Sequence, residues 1–118
     1  MNVVETFRCI EKYIGKSYSA SFYEFLEEFL KLTASNEFKL LFRNSHFCTK
    51  SEVRNAIDQF IPEDVMPFLI DVQNGFEDYY CFDIENSENR NRVTVFSQDA
   101  VVFEWENYDD FLQWAARP

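Results

Sequence analysis

The chain has 118 residues and a mass of 14.2 kDa, a length that accommodates one hydrophobic core and leaves no room for a second. Hydrophobic residues make up 47% and aromatic residues 19%, which excludes a disordered segment and supplies enough apolar area to fold without disulfides or a metal. The net charge is −10 with only two glycines, so phosphate-cradling loops and direct binding of nucleic acid or anionic membranes are disfavoured.

Two helices are predicted at the amino-terminal end. Apolar residues recur at spacings of three and four over residues 3–14, which indicates an amphipathic helix. Gly15 follows and favours the left-handed conformation that ends a helix. Ser21 and Glu24 have the spacing of a capping box, so we expect a second helix from there to about Leu32.

The middle of the chain predicts one strand and one short helix. Residues 38–42 are apolar and compact, which is typical of a strand. Thr49 and Glu52 form a second capping-box pattern and open the helix. Pro62 ends it, because a proline disfavours helical geometry in the residue before it.

The second half of the chain predicts a set of paired strands and a last helix. The apolar period changes to two, which predicts strands at residues 68–72, 79–84, 92–96 and 100–105. Asn74 and Gly75 form a tight hairpin turn, and Asn107 caps a final helix. Residues 1–118 are therefore expected to form a single α+β domain, an antiparallel sheet with helices packed mainly on one face.

Five phenylalanines lie on the apolar stripe of their predicted elements, so we expect all five to be largely buried. Truncating any one to alanine should cost about 3–5 kcal/mol. They are Phe25, Phe29, Phe82, Phe103 and Phe111.

The sequence contains no motif that binds a metal or a cofactor. Its three cysteines and its single histidine fit no zinc spacing, and the calcium-loop order of acidic residues is absent. His46 and Cys48 are two residues apart, but no third group to orient a base is evident, and we expect His46 in a partly buried loop. We predict a protein that is not an enzyme and has no catalytic residue, metal or cofactor. A small enzyme that uses Cys48 or a pair of carboxylates remains the alternative.

We expect the chain to be cytoplasmic. The amino terminus has no basic segment followed by an apolar run, and no stretch approaches the roughly 20 apolar residues of a membrane helix. Three cysteines with no close pairing suit a reducing compartment.

All of the excess negative charge lies in the second half of the chain. In residues 1–60 eight basic and eight acidic residues balance, whereas in residues 61–118 three arginines face thirteen acidic residues, which leaves −10. Such a field attracts a basic partner, although solvation alone is an alternative reason for it.

Eight of these carboxylates are candidate partner-binding residues. Strand alternation predicts Glu77, Asp83 and Glu85 on the side of Tyr79 and Asp78 on the other side. The full set is Glu77, Asp78, Asp83, Glu85, Glu88, Asp99, Glu104 and Glu106.

One strand carries a family resemblance. Residues 77–83, Glu-Asp-Tyr-Tyr-Cys-Phe-Asp, resemble the central strand of the SUKH superfamily, which includes the fungal Smi/Knr cell-wall regulators and many bacterial immunity proteins. Residues 21–26, 61–69 and 108–112 resemble other family segments in the same order, so the resemblance runs from about residue 3 to residue 115. It implies an α+β fold with helices against one face of an antiparallel sheet.

The resemblance also implies a function. Single-domain bacterial members are similar to immunity proteins, which bind the C-terminal toxic domain, often a nuclease, of a polymorphic or contact-dependent inhibition toxin. A basic toxin domain would suit the acidic half of this chain. The alternative is a non-enzymatic regulatory or scaffolding adaptor of the Smi/Knr type. The oligomeric state stays open.

Overall fold

Four helices and five strands make up residues 2–34 and 44–116, the part of the chain that this computed structural model describes. The strand predicted at residues 38–42 lies outside the described residues, and the strand at Ser45–Phe47 was not predicted. The other predicted elements occur in the predicted order. In chain order the elements are α1 Val3–Ile14, α2 Ser21–Thr33, β1 Ser45–Phe47, α3 Lys50–Gln59, β2 Val65–Gln73, β3 Phe76–Asp83, β4 Val93–Ser97, β5 Ala100–Trp105 and α4 Tyr108–Ala115.

The five strands form one antiparallel sheet in which each strand lies beside the next one in the chain. Asn74 and Gly75 both have positive φ, 53° and 81°, so the predicted tight turn between β2 and β3 is confirmed. The register shifts twice, between Pro67 and Leu69 in β2 and between Val95 and Phe96 in β4. The outer strands are β1 and β5.

Most helix ends follow the local signals in the sequence. Gly15 has a φ of 81° after α1, Thr49 forms a complete capping box with its helix, and Asn107 accepts a backbone hydrogen bond at the start of α4. The capping box predicted at Ser21 is wrong. The helix begins at Ser21 itself, with Ala20 at the N-cap position, so the Ser21 hydroxyl lies inside the first turn and cannot cap it. The hydroxyl donates instead to the carbonyl of Arg90, 2.7 Å away.

Three of the four helices pack on one face of the sheet. Aromatic rings from α2 and α4 interlock there with rings from β2 and β3, for example Phe22 with Phe82 and Phe25 with Phe68, both with centroids 5.2 Å apart. Phe7 of α1 joins this cluster through the Phe22 ring, 5.3 Å away. The remaining helix, α3, contributes to both sides: Val53 belongs to the main core cluster, and Ala56 packs with Cys81 on the other face. The α+β fold with helices mainly on one face is confirmed.

Four of the five predicted core phenylalanines are fully buried, namely Phe25, Phe29, Phe82 and Phe111. The prediction for Phe103 is wrong, since 53% of its surface is exposed. Its ring leans on Trp105, with centroids 4.5 Å apart, and only Trp105 reaches Phe111 of α4. The helix therefore covers the end of β5 and leaves Phe103 open.

None of the helices within residues 2–34 and 44–116 is long and apolar enough to cross a membrane.

Candidate functional site

The eight candidate carboxylates do not form one patch. Glu77 and Asp78 lie near the start of β3, while Asp83 ends it, and eight residues of strand span roughly 23 Å. Glu85 and Glu88 come after the strand, in the loop that leads to β4, and both are exposed. A partner that contacts Glu77 is therefore far from Glu85, and the expectation that these two residues share a strand face fails because β3 has already ended.

The prediction that Asp83 binds a partner is wrong, because the structure buries this residue. Its side chain is fully buried. The guanidinium of Arg92 donates to it from Nε at 3.0 Å and from Nη2 at 2.8 Å, and the Arg92 backbone N–H donates at 2.9 Å. A buried carboxylate with three donors is a structural group, and a partner cannot reach it.

Arg92 also binds two carboxylates at the surface. Its Nη1 lies 3.3 Å from Glu104 and its Nη2 lies 3.1 Å from Asp64. Hydrogen bonding to Asp83 raises the pKa of Arg92 further, so the cation is permanent. We call these four residues the Arg92 cluster. One positive charge against three negative ones leaves the cluster acidic.

A pocket near the tight turns joins two of the candidates. It encloses about 540 Å³ between the end of α3 and the β2–β3 and β4–β5 turns, and we call it the hairpin pocket. Glu77 and Asp99 both line it although they are 22 positions apart in the chain. Its remaining lining residues are Gln59, Phe60, Gly75, Phe76, Tyr79, Ser97 and Gln98.

Aromatic rings and carboxylates face the hairpin pocket together. The Tyr79 ring meets the Phe60 ring edge-on with centroids 4.9 Å apart, and the Tyr79 hydroxyl donates to Glu77 at 2.8 Å. Burial, with the bond to Glu77, raises the pKa of Tyr79, so the phenol stays a donor at neutral pH. Phe76 is 63% exposed. Carboxylates beside ring faces are the chemistry that receives a lysine or arginine side chain.

A carboxylate pair that the sequence reasoning missed lies across the same hairpin. Asp71 of β2 is directly opposite Asp78 of β3, on the face that carries Tyr80. Asp71 is only 2% exposed and accepts a hydrogen bond from Gln73 at 2.9 Å, and burial raises its pKa. The sequence did contain the signal for this pair, because a two-residue turn at residues 74–75 sets the strand register so that residues 71 and 78 lie opposite each other.

The His46 and Cys48 pair is split by the structure. His46 is exposed on β1, not partly buried in a loop, and its Nε2 lies 2.8 Å from a carboxylate oxygen of Glu52. Burial tends to raise the pKa of Glu52, but the hydrogen bonds from His46 and Thr49 outweigh it and lower that pKa. Cys48 is buried, and burial raises the pKa of its thiol well above the ordinary value. This environment disfavours the thiolate that a nucleophile needs.

No group of three or more His, Cys, Asp or Glu residues within residues 2–34 and 44–116 is placed to hold a metal ion.

Comparisons with known proteins add no assignment. No protein-family model, no curated protein and no solved structure matches the chain. The likeness to the SUKH superfamily therefore depends on the sequence segments quoted above.

Proposed function

We propose that the protein is a cytoplasmic immunity protein of the SUKH type, which binds and neutralises the toxic domain of a polymorphic or contact-dependent inhibition toxin. The observation that carries the proposal is the charge distribution. The whole net charge of −10 belongs to residues 61–118, and six of the eight candidate carboxylates are exposed, with Asp78 half-buried and Asp83 buried. The protein acts by binding and uses no catalytic residue, metal or cofactor.

A nuclease toxin domain is the partner that this charge suits best. An enzyme that binds polyphosphate presents a basic surface, and an acidic inhibitor is drawn to it at a rate that falls as salt screens the attraction. The hairpin pocket offers Glu77 and Asp99 beside the Tyr79 ring, a place for one basic side chain of such a domain. The same charges repel a phosphate backbone, so nucleic acid itself is not the partner.

Charge reversal tests the proposal against a candidate toxin domain encoded beside the gene. The test variant reverses three exposed carboxylates to lysine, Glu77, Asp99 and Glu106. The matched control reverses three carboxylates of the charge-balanced half, Glu5, Glu27 and Asp58. Glu11 and Glu52 are unsuitable controls, because they hold the backbone of Tyr18 and Thr49.

We expect the test variant to associate roughly ten-fold more slowly at low salt, with a shallower salt dependence, and the control to behave like the wild type. Co-expression with the toxin domain should preserve cell growth for the wild type. Equal effects of both variants, or association that ignores salt, would contradict an acidic recognition surface. Tight binding without protection of the cells would favour an adaptor of the Smi/Knr type.

A further inference from the structure

The edge strand β5 exposes apolar side chains that an isolated domain would normally cover. Val101, Val102 and Phe103 are each more than half exposed, at 54%, 52% and 53%. β5 pairs with β4 on one side, and none of the described strands lies on its other side. Its outward backbone groups therefore form a template for another strand.

Natural edge strands are protected by charges, prolines or bulges, and in β5 this protection consists of Glu104, which pairs with Arg92, and one bulge. Residues 100–103 read Ala-Val-Val-Phe, without a charge or a proline. A bulge in the β4–β5 pairing leaves Val102 without a partner residue. The apolar groups lie on both faces, since Phe103 is opposite Val95 and Val101 is opposite Phe96, which belong to the two separate core clusters.

We propose that β5 is a docking edge, and that its occupant is an extended segment of a basic protein partner that adds beside β5 as a further strand. That the partner is a toxin domain rests on the proposed function, whereas the docking edge does not. Backbone hydrogen bonds would supply affinity, and β-branched or aromatic side chains on the incoming strand would cover Val101 on one face and Phe103 on the other.

The surrounding charge favours a basic occupant over a second copy of this chain. Residues 93–116 hold five carboxylates and no lysine or arginine: Asp99, Glu104, Glu106, Asp109 and Asp110. Two copies joined through β5 would bring ten of these charges together, and the nearby Arg92 is already shared among the three carboxylates of its cluster. A segment whose apolar centre is flanked by lysine or arginine meets opposite charges at both ends.

The edge is also continuous with the hairpin pocket. Ser97, Gln98 and Asp99 line the pocket and lead directly into β5. A strand added to β5 therefore ends close to the pocket, and a basic side chain at that end can enter the pocket. One partner segment thus reaches both features.

Three capped heptapeptides test the docking edge by titration into the isotope-labelled protein, followed by NMR at about 50 mM salt. The first is Lys-Val-Thr-Val-Thr-Val-Lys; the second has glutamate at both ends; the third keeps the basic sequence but is N-methylated at its five central residues. We expect the basic peptide to shift the amide signals of residues 100–105 and to slow their hydrogen exchange. The acidic peptide should bind at least ten-fold more weakly, and the N-methylated peptide should not bind the edge.

Protein variants provide the matched controls. Val102→Lys should weaken binding of the basic peptide at least five-fold, whereas Val4→Lys, at an exposed position of α1, should not change it. Asp99→Asn combined with Glu106→Gln should weaken binding, and Glu27→Gln combined with Asp58→Asn should not. Sedimentation should show a monomer without peptide. A dimer that Val102→Lys dissociates would assign the edge to a second copy and overturn the proposal.

The outcomes separate this inference from the proposed function. Peptides that bind elsewhere, or bind regardless of end charge, overturn the docking edge even if the wild type and Val102→Lys both neutralise the toxin domain. Peptide binding at β5 with no effect of the protein on the toxin domain leaves the docking edge standing and removes the immunity function.

Discussion

Replacement of Arg92 by methionine would leave Asp83 as a buried carboxylate without its cation. The guanidinium supplies two of the three hydrogen bonds to Asp83, at 2.8 and 3.0 Å, and the backbone N–H of Arg92 remains as the third. Breaking a buried ion pair on one side costs about 3–5 kcal/mol. The contacts to Asp64 and Glu104, which are 52% and 40% exposed, add at most about 1 kcal/mol each. A domain of this size has about 5–15 kcal/mol in total, so the loss is a large part of its stability.

Urea unfolding followed by tryptophan fluorescence measures the loss. Lys31→Met is the control, because Lys31 is 65% exposed and its ion pair with Glu28 at 3.0 Å lies at the surface, and we expect no measurable change in the free energy of unfolding. The double variant Arg92→Met with Asp83→Asn should recover at least half of the single variant's loss, since no buried charge remains. A cost below about 1 kcal/mol for Arg92→Met, or a double variant as unstable as the sum of the singles, would refute this account of Asp83.

Three further predictions follow from the described burial and charges. Burial raises the pKa of Asp71 in the folded protein, so the folded state is destabilised when the carboxyl group ionises and is unaffected when the group is protonated in both states. Asp71→Asn should therefore raise the urea midpoint at pH 7. The difference between the variant and the wild type should disappear below about pH 3.9, the pKa of an aspartate in the unfolded chain. Phe25→Ala should cost about 3–5 kcal/mol and the half-exposed Phe103→Ala about 1 kcal/mol or less, so equal losses in thermal unfolding would contradict the edge position of β5. Cys48→Ser and His46→Ala should each keep protection within a few-fold, and a complete loss with intact circular dichroism would contradict a function that depends on neither residue.

The acidic character of the site could be predicted from the sequence, but which carboxylates are exposed, paired or buried could be predicted only in part. Counting charges placed the net −10 in residues 61–118, and the Asn74–Gly75 turn already implied that Asp71 faces Asp78. The burial of Asp83 depends on Arg92, which lies in the loop directly before β4. Strand alternation assigns a side chain to a face, but it does not show which distant cation lies on that face.

The sequence by itself determined most of the local elements, because caps, turns and apolar periods act within a few residues; the start of α2 and the strand β1 are the exceptions. The α+β order, the left-handed Gly15 and the capping box at Thr49 are all of this kind. Only the tertiary structure decided what covers each apolar stripe. Phe82 and Phe103 have the same alternating pattern, yet one is fully buried under α2 and the other is half-exposed on an outer strand. Periodicity records the direction of a side chain, whereas its burial depends on which element packs above it.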